Sequence, residues 1–202
     1  MSTSPFSLSE VRSLAEISRI NVVGTSGSGK STLSKEIAEV LAFPYVEMDK
    51  VFWKPNWEQP SDEEFFLKLE NALAKEQWVL DGNYTRTIPI KWRKINLVVW
   101  VDYSFSRTLY QAVRRAFKRS WRKDELWEGT GNRESFRKSF FSKDSIIWWT
   151  ITTYAKVKLK YEEMLVNPHF SHIKFVRLRS HGDAEEFLNS LRELQHRYCS
   201  KD

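Results

Sequence analysis

The chain has 202 residues, a formal net charge of +6, nine tryptophans and a single cysteine. This length suits one domain with a sizeable core, so we expect one domain over residues 1–202, acting as a monomer. Cys199 alone excludes a disulfide framework within the chain, and the lack of an apolar run near roughly 18 residues or of a signal-peptide core predicts a cytoplasmic protein without membrane segments.

The first predicted elements enclose a glycine-rich loop. Apolar spacing from Leu8 to Ile17 predicts a short helix, the run Arg19 to Val23 predicts a strand, and the pattern from Lys30 to Leu41 predicts a second helix. The segment between strand and helix fits the pattern G-x-x-x-x-G-K-S/T. Its residues, with the threonine that follows, are Gly24, Thr25, Ser26, Gly27, Ser28, Gly29, Lys30, Ser31 and Thr32.

This pattern predicts a phosphate-binding loop. Glycines let successive backbone N–H groups turn inward and approach phosphate oxygens at the positive end of the following helix. We expect Lys30 to reach the terminal phosphates, Ser31 to give its hydroxyl to Mg2+, and Thr32 to touch the phosphate nearest the nucleoside. The sequence therefore predicts a protein that binds a nucleoside triphosphate, ATP, through these residues.

The next elements are three apolar strands, each followed by an aspartate. A capping box from Ser61 to Glu64 opens a helix that we expect to run to about Glu76. The strands with their aspartates are Tyr45 to Met48 before Asp49, Trp78 to Leu80 before Asp81, and Leu97 to Val101 before Asp102.

The second half of the chain adds three helices and one strand. The helices are predicted from Ser106 to Trp121, Ile146 to Leu165 and Ala184 to Tyr198, and the strand from Ile173 to Leu178. Continuous apolar strands separated by helices predict an α/β fold, a five-stranded parallel sheet with helices on both faces. The aromatic connection after the second strand predicts a substrate arm over about residues 50–77. The polar stretch after the basic helix predicts a lid over about residues 120–145.

Ligands of such sheets bind beyond the carboxyl ends of the strands, where these aspartates lie. Asp81 ends an apolar strand, so we expect it to hold Mg2+ directly or through water. Asp49 could accept the proton of an acceptor hydroxyl as phosphoryl transfer proceeds, or it could lie behind the metal or cap a helix. Gly82 stands where motor ATPases carry a glutamate base, and the guanine box and the transporter signature are both missing from the sequence.

Basic residues crowd the middle of the chain. Residues 86–123 carry eleven lysines and arginines against the single acid Asp102. Such a block could clamp the transferred phosphate, bind a nucleic acid or form a solvated helix face. For the clamp we favour Arg115 and Arg119, since residues four apart share a helix face and arginines stabilise the charge of phosphoryl transfer.

Aromatic and histidine side chains give weaker signals. Trp53 and Trp57 could stack on a planar acceptor or pack beneath the arm. The four histidines lack metal-ligand spacing, and His181 alone follows a strand at the ligand edge, where we expect it to border the adenine.

The segment from Trp78 to Thr87 resembles the adenylate-kinase segment with the consensus Leu-Asp-Gly-Phe-Pro-Arg-Thr, with one extra residue before the arginine. The order of the glycine-rich loop, Asp49 and Asp81-Gly82-Asn83-Tyr84 is similar to that of the topology-modulation or FlaR-like branch of that family. The resemblance implies a P-loop kinase fold with arm and lid, a magnesium-associated Asp81, and an Arg86 that grips the acceptor or the transferred phosphate. Asn83-Tyr84 replaces Phe-Pro here, and the arm lacks the arginine that adenylate kinases use on AMP.

The sequence therefore predicts an ATP-dependent phosphotransferase that uses Mg2+ and a small acceptor such as a nucleoside, a nucleotide or another hydroxyl metabolite. The alternative that the basic block leaves open is a nucleotide-dependent nucleic-acid-binding or regulatory ATPase.

Overall fold

The computed structural model of the chain describes Leu8, Val11 and residues 13–122, 130–132 and 146–199. Within these ranges no helix is both long and apolar enough to cross a bilayer. Most of the predicted lid, residues 123–129 and 133–145, lies outside the described part.

The fold centres on five parallel strands, which confirms the predicted α/β sheet. The strands are β1 (Arg19–Gly24), β2 (Tyr45–Glu47), β3 (Trp78–Asp81), β4 (Leu97–Val101) and β5 (Lys174–Leu178). Their order in the sheet is β2-β3-β1-β4-β5. The strand before the glycine-rich loop is therefore central, and the strand that ends in Asp81 is hydrogen-bonded beside it.

Burial of both sheet faces explains why the inner strands are continuously apolar. Successive side chains of a strand point to opposite faces. Ile20 and Val22 of β1 lie in the core layer on one face, whereas Val23 lies in the layer on the other. In β4, Val99 and Trp100 divide between the two layers in the same way.

Helices cover both faces of the sheet. They are α1 (Lys30–Leu41), α2 (Met48–Phe52), α3 (Asp62–Ala72), α4 (Ile88–Lys91), α5 (Phe105–Arg122), α6 (Ile146–Val166) and α7 (His181–Cys199). The predicted N-cap of α3 is confirmed, since the Ser61 hydroxyl accepts a hydrogen bond of 3.2 Å from the backbone N–H of Glu64, whereas the Glu64 carboxylate pairs with Lys54 and Lys68 and does not complete a capping box.

Three predicted boundaries are wrong. Strand β2 ends at Glu47, and Met48 already begins α2, so Asp49 lies in the first turn of a helix and not at a strand end. Helix α3 ends at Ala72, before the predicted Glu76. Helix α7 begins at His181, because Ser180 and Asp183 cap it reciprocally, with the Asp183 backbone N–H donating to Ser180 Oγ at 3.1 Å.

The leading helix predicted from Leu8 to Ile17 is observed only as a 3-10 turn, Leu14–Ile17, among the residues described there. Leu8 and Val11 are buried in the same core layer as Ile17. Of the other apolar residues of this segment, Leu14 is partly buried and Ala15 is exposed.

Candidate active site

The glycine-rich loop occupies the turn from β1 into α1, as predicted. Helix α1 starts at Lys30, directly after Gly29, whose φ of 92° is in the left-handed region. Gly27, with φ of 85°, touches α5 so closely that an added Cβ would lie 2.8 Å from the Ala112 Cβ. Both conformation and space therefore require glycine at position 27.

The first turn of α1 presents three polar side chains at this turn, those of Lys30, Ser31 and Thr32. None of the three forms a side-chain hydrogen bond or ion pair with the rest of the described chain. Their donors and hydroxyls remain free for a ligand at the positive end of the helix.

An asparagine clamp fixes the start of the loop. The Asn83 amide accepts from the Gly24 backbone N–H at 3.0 Å and donates to the Gly24 carbonyl. The buried Tyr161 hydroxyl donates to the same Asn83 oxygen at 3.3 Å. The segment after β3 and the phosphate-binding loop are therefore held as one unit.

Helices α5 and α6 hold the loop at Ser26. The Arg115 guanidinium donates to the Ser26 hydroxyl at 3.0 Å, and the Thr150 hydroxyl donates to the Ser26 carbonyl at 3.2 Å. Arg115 thus lies against the loop. Arg119 is one turn further along α5, and its side chain is outside the described part.

Asp81 lies beside the loop and has one carboxylate oxygen available. Parallel pairing sets it opposite Val22 of β1, two residues before Gly24. It is buried, at 4% exposure. Its Oδ2 accepts from the Tyr45 hydroxyl at 3.3 Å, whereas its Oδ1 is buried with no hydrogen-bond partner among the described residues.

These residues fit Mg2+. A buried carboxylate oxygen without a partner is costly unless a cation or a donor satisfies it, and Asp81 Oδ1 and the Ser31 hydroxyl are the oxygen ligands that Mg2+ prefers. The described residues contain no cluster of three or more histidines, cysteines and acids. Burial, and then the Asp81 charge, raises the pKa of Tyr45, so Tyr45 remains a hydroxyl donor to Asp81.

Asp49 and Tyr84 form a second polar pair in the neighbouring region. The Tyr84 hydroxyl donates to Asp49 Oδ1 at 2.8 Å. Burial, and then the Asp49 charge, raises the pKa of Tyr84, which keeps the phenol protonated as a donor. Asp49 Oδ2 has no hydrogen-bond partner among the described residues, so one oxygen of the carboxylate is free to accept a proton.

The predicted arm surrounds this pair with aromatic rings. Phe52 and Phe65 pack on the Tyr84 ring with centroids 5.0 and 5.3 Å away. The Arg86 guanidinium lies 5.1 Å from the Phe52 centroid and pairs with Asp62 at 2.8 Å. Arg86 therefore lies where the arm meets the segment after β3, and its charge is shared with an acid of α3.

Trp53 and Trp57 belong to the same aromatic group. Their rings meet edge to face with centroids 5.4 Å apart, and Trp53 packs against the core layer beneath the arm. Asn132 holds the segment from Lys54 to Trp57. Its side chain accepts a hydrogen bond from the Trp57 backbone N–H and donates one to the Lys54 carbonyl, both at 2.9 Å.

A cavity of about 550 Å3 lies beside the start of α1 and is also lined by residues of α5 and α7. Gly29 and Thr32 line it next to the loop, and Tyr103, Gln111 and His181 line its far wall. The exposed His181 ring lies 3.2 Å from Glu185. His181 therefore lies on the wall of a cavity that reaches the phosphate-binding loop.

The third aspartate of this sheet edge is already paired. Asp102 accepts two hydrogen bonds from Arg177, at 2.6 and 2.8 Å, and Arg177 also contacts Glu162 at 2.8 Å. Asp102 thus differs from Asp81 and Asp49, since neither of those two carboxylates forms an ion pair with another described residue.

The fold is similar to those of solved small-molecule kinases. A shikimate kinase from Acinetobacter baumannii, in complex with shikimate, has a TM-score of 0.54 at 15% identity over 90% of this chain and 94% of that one. A gluconokinase from Sinorhizobium meliloti 1021 has a TM-score of 0.47 at 16% identity over 90% and 93% of the two chains. A deoxyadenosine kinase from M. mycoides has 0.48 at 14% over 87% and 98%.

The comparison with the shikimate kinase shows that the two chains share one α/β fold. No protein-family model matches the sequence, and no curated protein matches it either.

Proposed function

We propose that this chain is an ATP-dependent phosphotransferase that moves the terminal phosphate of Mg-ATP to a hydroxyl of a small acceptor, such as a nucleoside, a nucleotide or another hydroxyl metabolite. The observation that carries the proposal is the buried Asp81 Oδ1, which has no hydrogen-bond partner among the described residues, beside a glycine-rich loop whose Lys30 and Ser31 side chains likewise have none there. The D-G-N-Y segment supports placing the chain with the adenylate-kinase-related proteins.

In this proposal the loop amides and Lys30 bind the phosphates of ATP. Backbone N–H groups at the start of α1 hold the phosphate oxygens, and the Lys30 ammonium reaches the oxygens of the terminal phosphates. Ser31 and Asp81 hold Mg2+, which supplies positive charge to the phosphate oxygens during transfer. Thr32 and His181 face the nucleoside side, where the cavity beside Gly29 has room for the base.

Asp49 acts on the acceptor. The acceptor oxygen attacks the terminal phosphorus, the bond from that phosphorus to the bridging oxygen of ADP breaks, and the hydroxyl proton passes to Asp49 Oδ2. Tyr84 holds the other Asp49 oxygen at 2.8 Å and so orients the carboxylate. Arg86 and Arg115 supply positive charge on the acceptor and loop sides, and Arg119 is proposed for the same role from its position on α5.

Three substitutions test this division of roles. Lys30→Ala should abolish ATP binding by calorimetry, because Lys30 faces ligand and not the core, while the exposed Lys156→Ala control should bind like the wild type. Asp81→Asn should raise the Mg2+ concentration needed for activity. Asp49→Asn should reduce transfer with ATP affinity nearly unchanged. If Asp49→Asn instead alters only the Mg2+ requirement, Asp49 belongs to the metal site and its role as base is wrong.

A further inference from the structure

A second cavity lies at the amino ends of the strands, away from the carboxyl ends that face the proposed ATP site. Its volume is about 110 Å3, and its walls include Arg19 and Trp78, the first residues of β1 and β3. The phosphate-binding loop follows the other end of β1. At about 3.3 Å per residue the six-residue strand separates the two by roughly 17 Å. This cavity is therefore separate from the site proposed for ATP and the acceptor.

Basic residues dominate this cavity. Its lining includes one acid, Glu70, and four cationic residues, Arg19, Lys75, Arg93 and Lys94. None of these five takes part in an ion pair with another described residue. The four like charges outnumber the single acid and repel one another, and a concave wall focuses their field. The cavity therefore favours an anion.

A buried group adds a hydrogen-bond donor. The Trp78 side chain is 2% exposed, and its indole N–H has no partner among the described residues. A buried donor without an acceptor is unfavourable. An oxyanion offers an acceptor to this donor as well as charge to the cations.

We propose that this cavity binds one tetrahedral oxyanion, a phosphate group, either as free phosphate or as the phosphate of a monoester whose remainder stays outside. Its volume favours a small group. Pockets that enclose whole metabolites usually measure about 300–1,000 Å3, and the 110 Å3 of this cavity is well below that range. The cavity therefore suits a phosphate group better than a whole nucleotide.

The test uses inorganic phosphate as probe at constant ionic strength. All proteins carry Lys30→Ala, which removes phosphate binding at the glycine-rich loop. The readout is the indole N–H resonance of Trp78 in a nitrogen-15 spectrum, assigned with Trp78→Phe. Arg93→Glu with Lys94→Glu is the test variant. Lys118→Glu with Lys156→Glu changes the net charge equally on exposed helix positions and is the control. Lys75→Glu serves as a second test variant if the first fails to fold.

We expect a saturable shift of the Trp78 resonance, at least tenfold weaker binding in either test variant and less than twofold change in the control. Ribose 5-phosphate binding more tightly than phosphate would identify a monoester as the natural ligand, and equal affinity would identify free phosphate. No saturable shift, or equal weakening in test and control variants, would overturn the proposal. It would also be overturned if only duplex DNA bound, with an affinity lost equally in both pairs, because that indicates a general polyanion surface.

Discussion

Asn83 holds the phosphate-binding loop through contacts that Asn83→Ala would remove together. The substitution deprives the Gly24 N–H, the Gly24 carbonyl and the buried Tyr161 hydroxyl of their partners. A loss of about 1 kcal/mol for each group is the lower end of the cost of leaving a buried polar group unpaired. The expected loss of unfolding free energy is therefore about 3 kcal/mol. With a urea dependence of roughly 2–3 kcal/mol per molar, the unfolding midpoint should fall by about 1 M.

Asn167→Ala is the matched control. Asn167 also bonds a backbone N–H, that of His169 at 2.9 Å, but in an exposed turn far along the chain, so its urea midpoint should fall by less than half as much. ATP affinity separates the two further. The loop amides of Asn83→Ala lose their fixed direction, and calorimetry should give a roughly tenfold higher Kd for ATP, equivalent to about 1.4 kcal/mol. Equal midpoints for the two variants, with ATP affinity within twofold of the wild type, would refute this reasoning.

Three further predictions concern the arm and the core. Tyr84→Phe should lower the rate of transfer but leave ATP binding intact, because it removes only the hydrogen bond to Asp49; a changed ATP Kd would contradict this. Asn132→Ala should speed hydrogen exchange at the Trp57 N–H, since two bonds to the arm disappear; unchanged exchange would show that Asn132 does not hold the arm. Burial lowers the pKa of Lys91 to about 7 from 10.5. Between these pH values the unfolded chain holds a proton that the folded chain has lost, so stability should rise with pH by at most about 1.4 kcal/mol per unit. Lys91→Met should reduce that rise in urea titrations, and identical slopes would contradict the shifted pKa.

The parts of the fold that sequence predicted are those with local signals. The apolar run of β4, the glycines at 24, 27 and 29 and the N-cap at Ser61 each depend on neighbours within a few residues. Such patterns fix a strand, a turn or a helix start before any tertiary contact forms. The end of β2 was misplaced because Met48 has the same apolar character in a strand as in a helix. Packing decides where β2 ends, since Gly82 lies against the Met48 side chain.

Only those residues of the candidate site that belong to a sequence motif can be predicted from the sequence. Lys30, Ser31 and Asp81 follow from the loop pattern and from the strand that ends in aspartate. Asn83 and Asn132 bond backbone groups 59 and 75 residues away, and nothing in the spacing of a single sequence indicates such pairs. Asn83-Tyr84 in place of Phe-Pro was the one available signal, because polar residues replace apolar ones beside the loop.

In the sequence the basic residues between 86 and 123 form one group, but in the structure the described members of that group lie at different places. Arg86 pairs with Asp62, Arg115 contacts the loop, and Lys91 is buried. Arg93 and Lys94 line the cavity at the amino ends of the strands. A count of charges along the chain cannot distinguish these positions, because they depend on which face of the fold each residue reaches.

Transfer of labelled phosphate from ATP is the measurement that tests the central claim most directly. The wild type is incubated with Mg2+, ATP labelled at the terminal phosphate, and a panel of nucleosides, nucleoside monophosphates and small hydroxyl metabolites, with Lys30→Ala as the inactive control. One class of compound should become labelled while ADP forms well above a slow basal rate, because proton transfer to Asp49 needs an acceptor hydroxyl. Rapid ATP hydrolysis without any acceptor, with label only in free phosphate across the whole panel, would contradict the account.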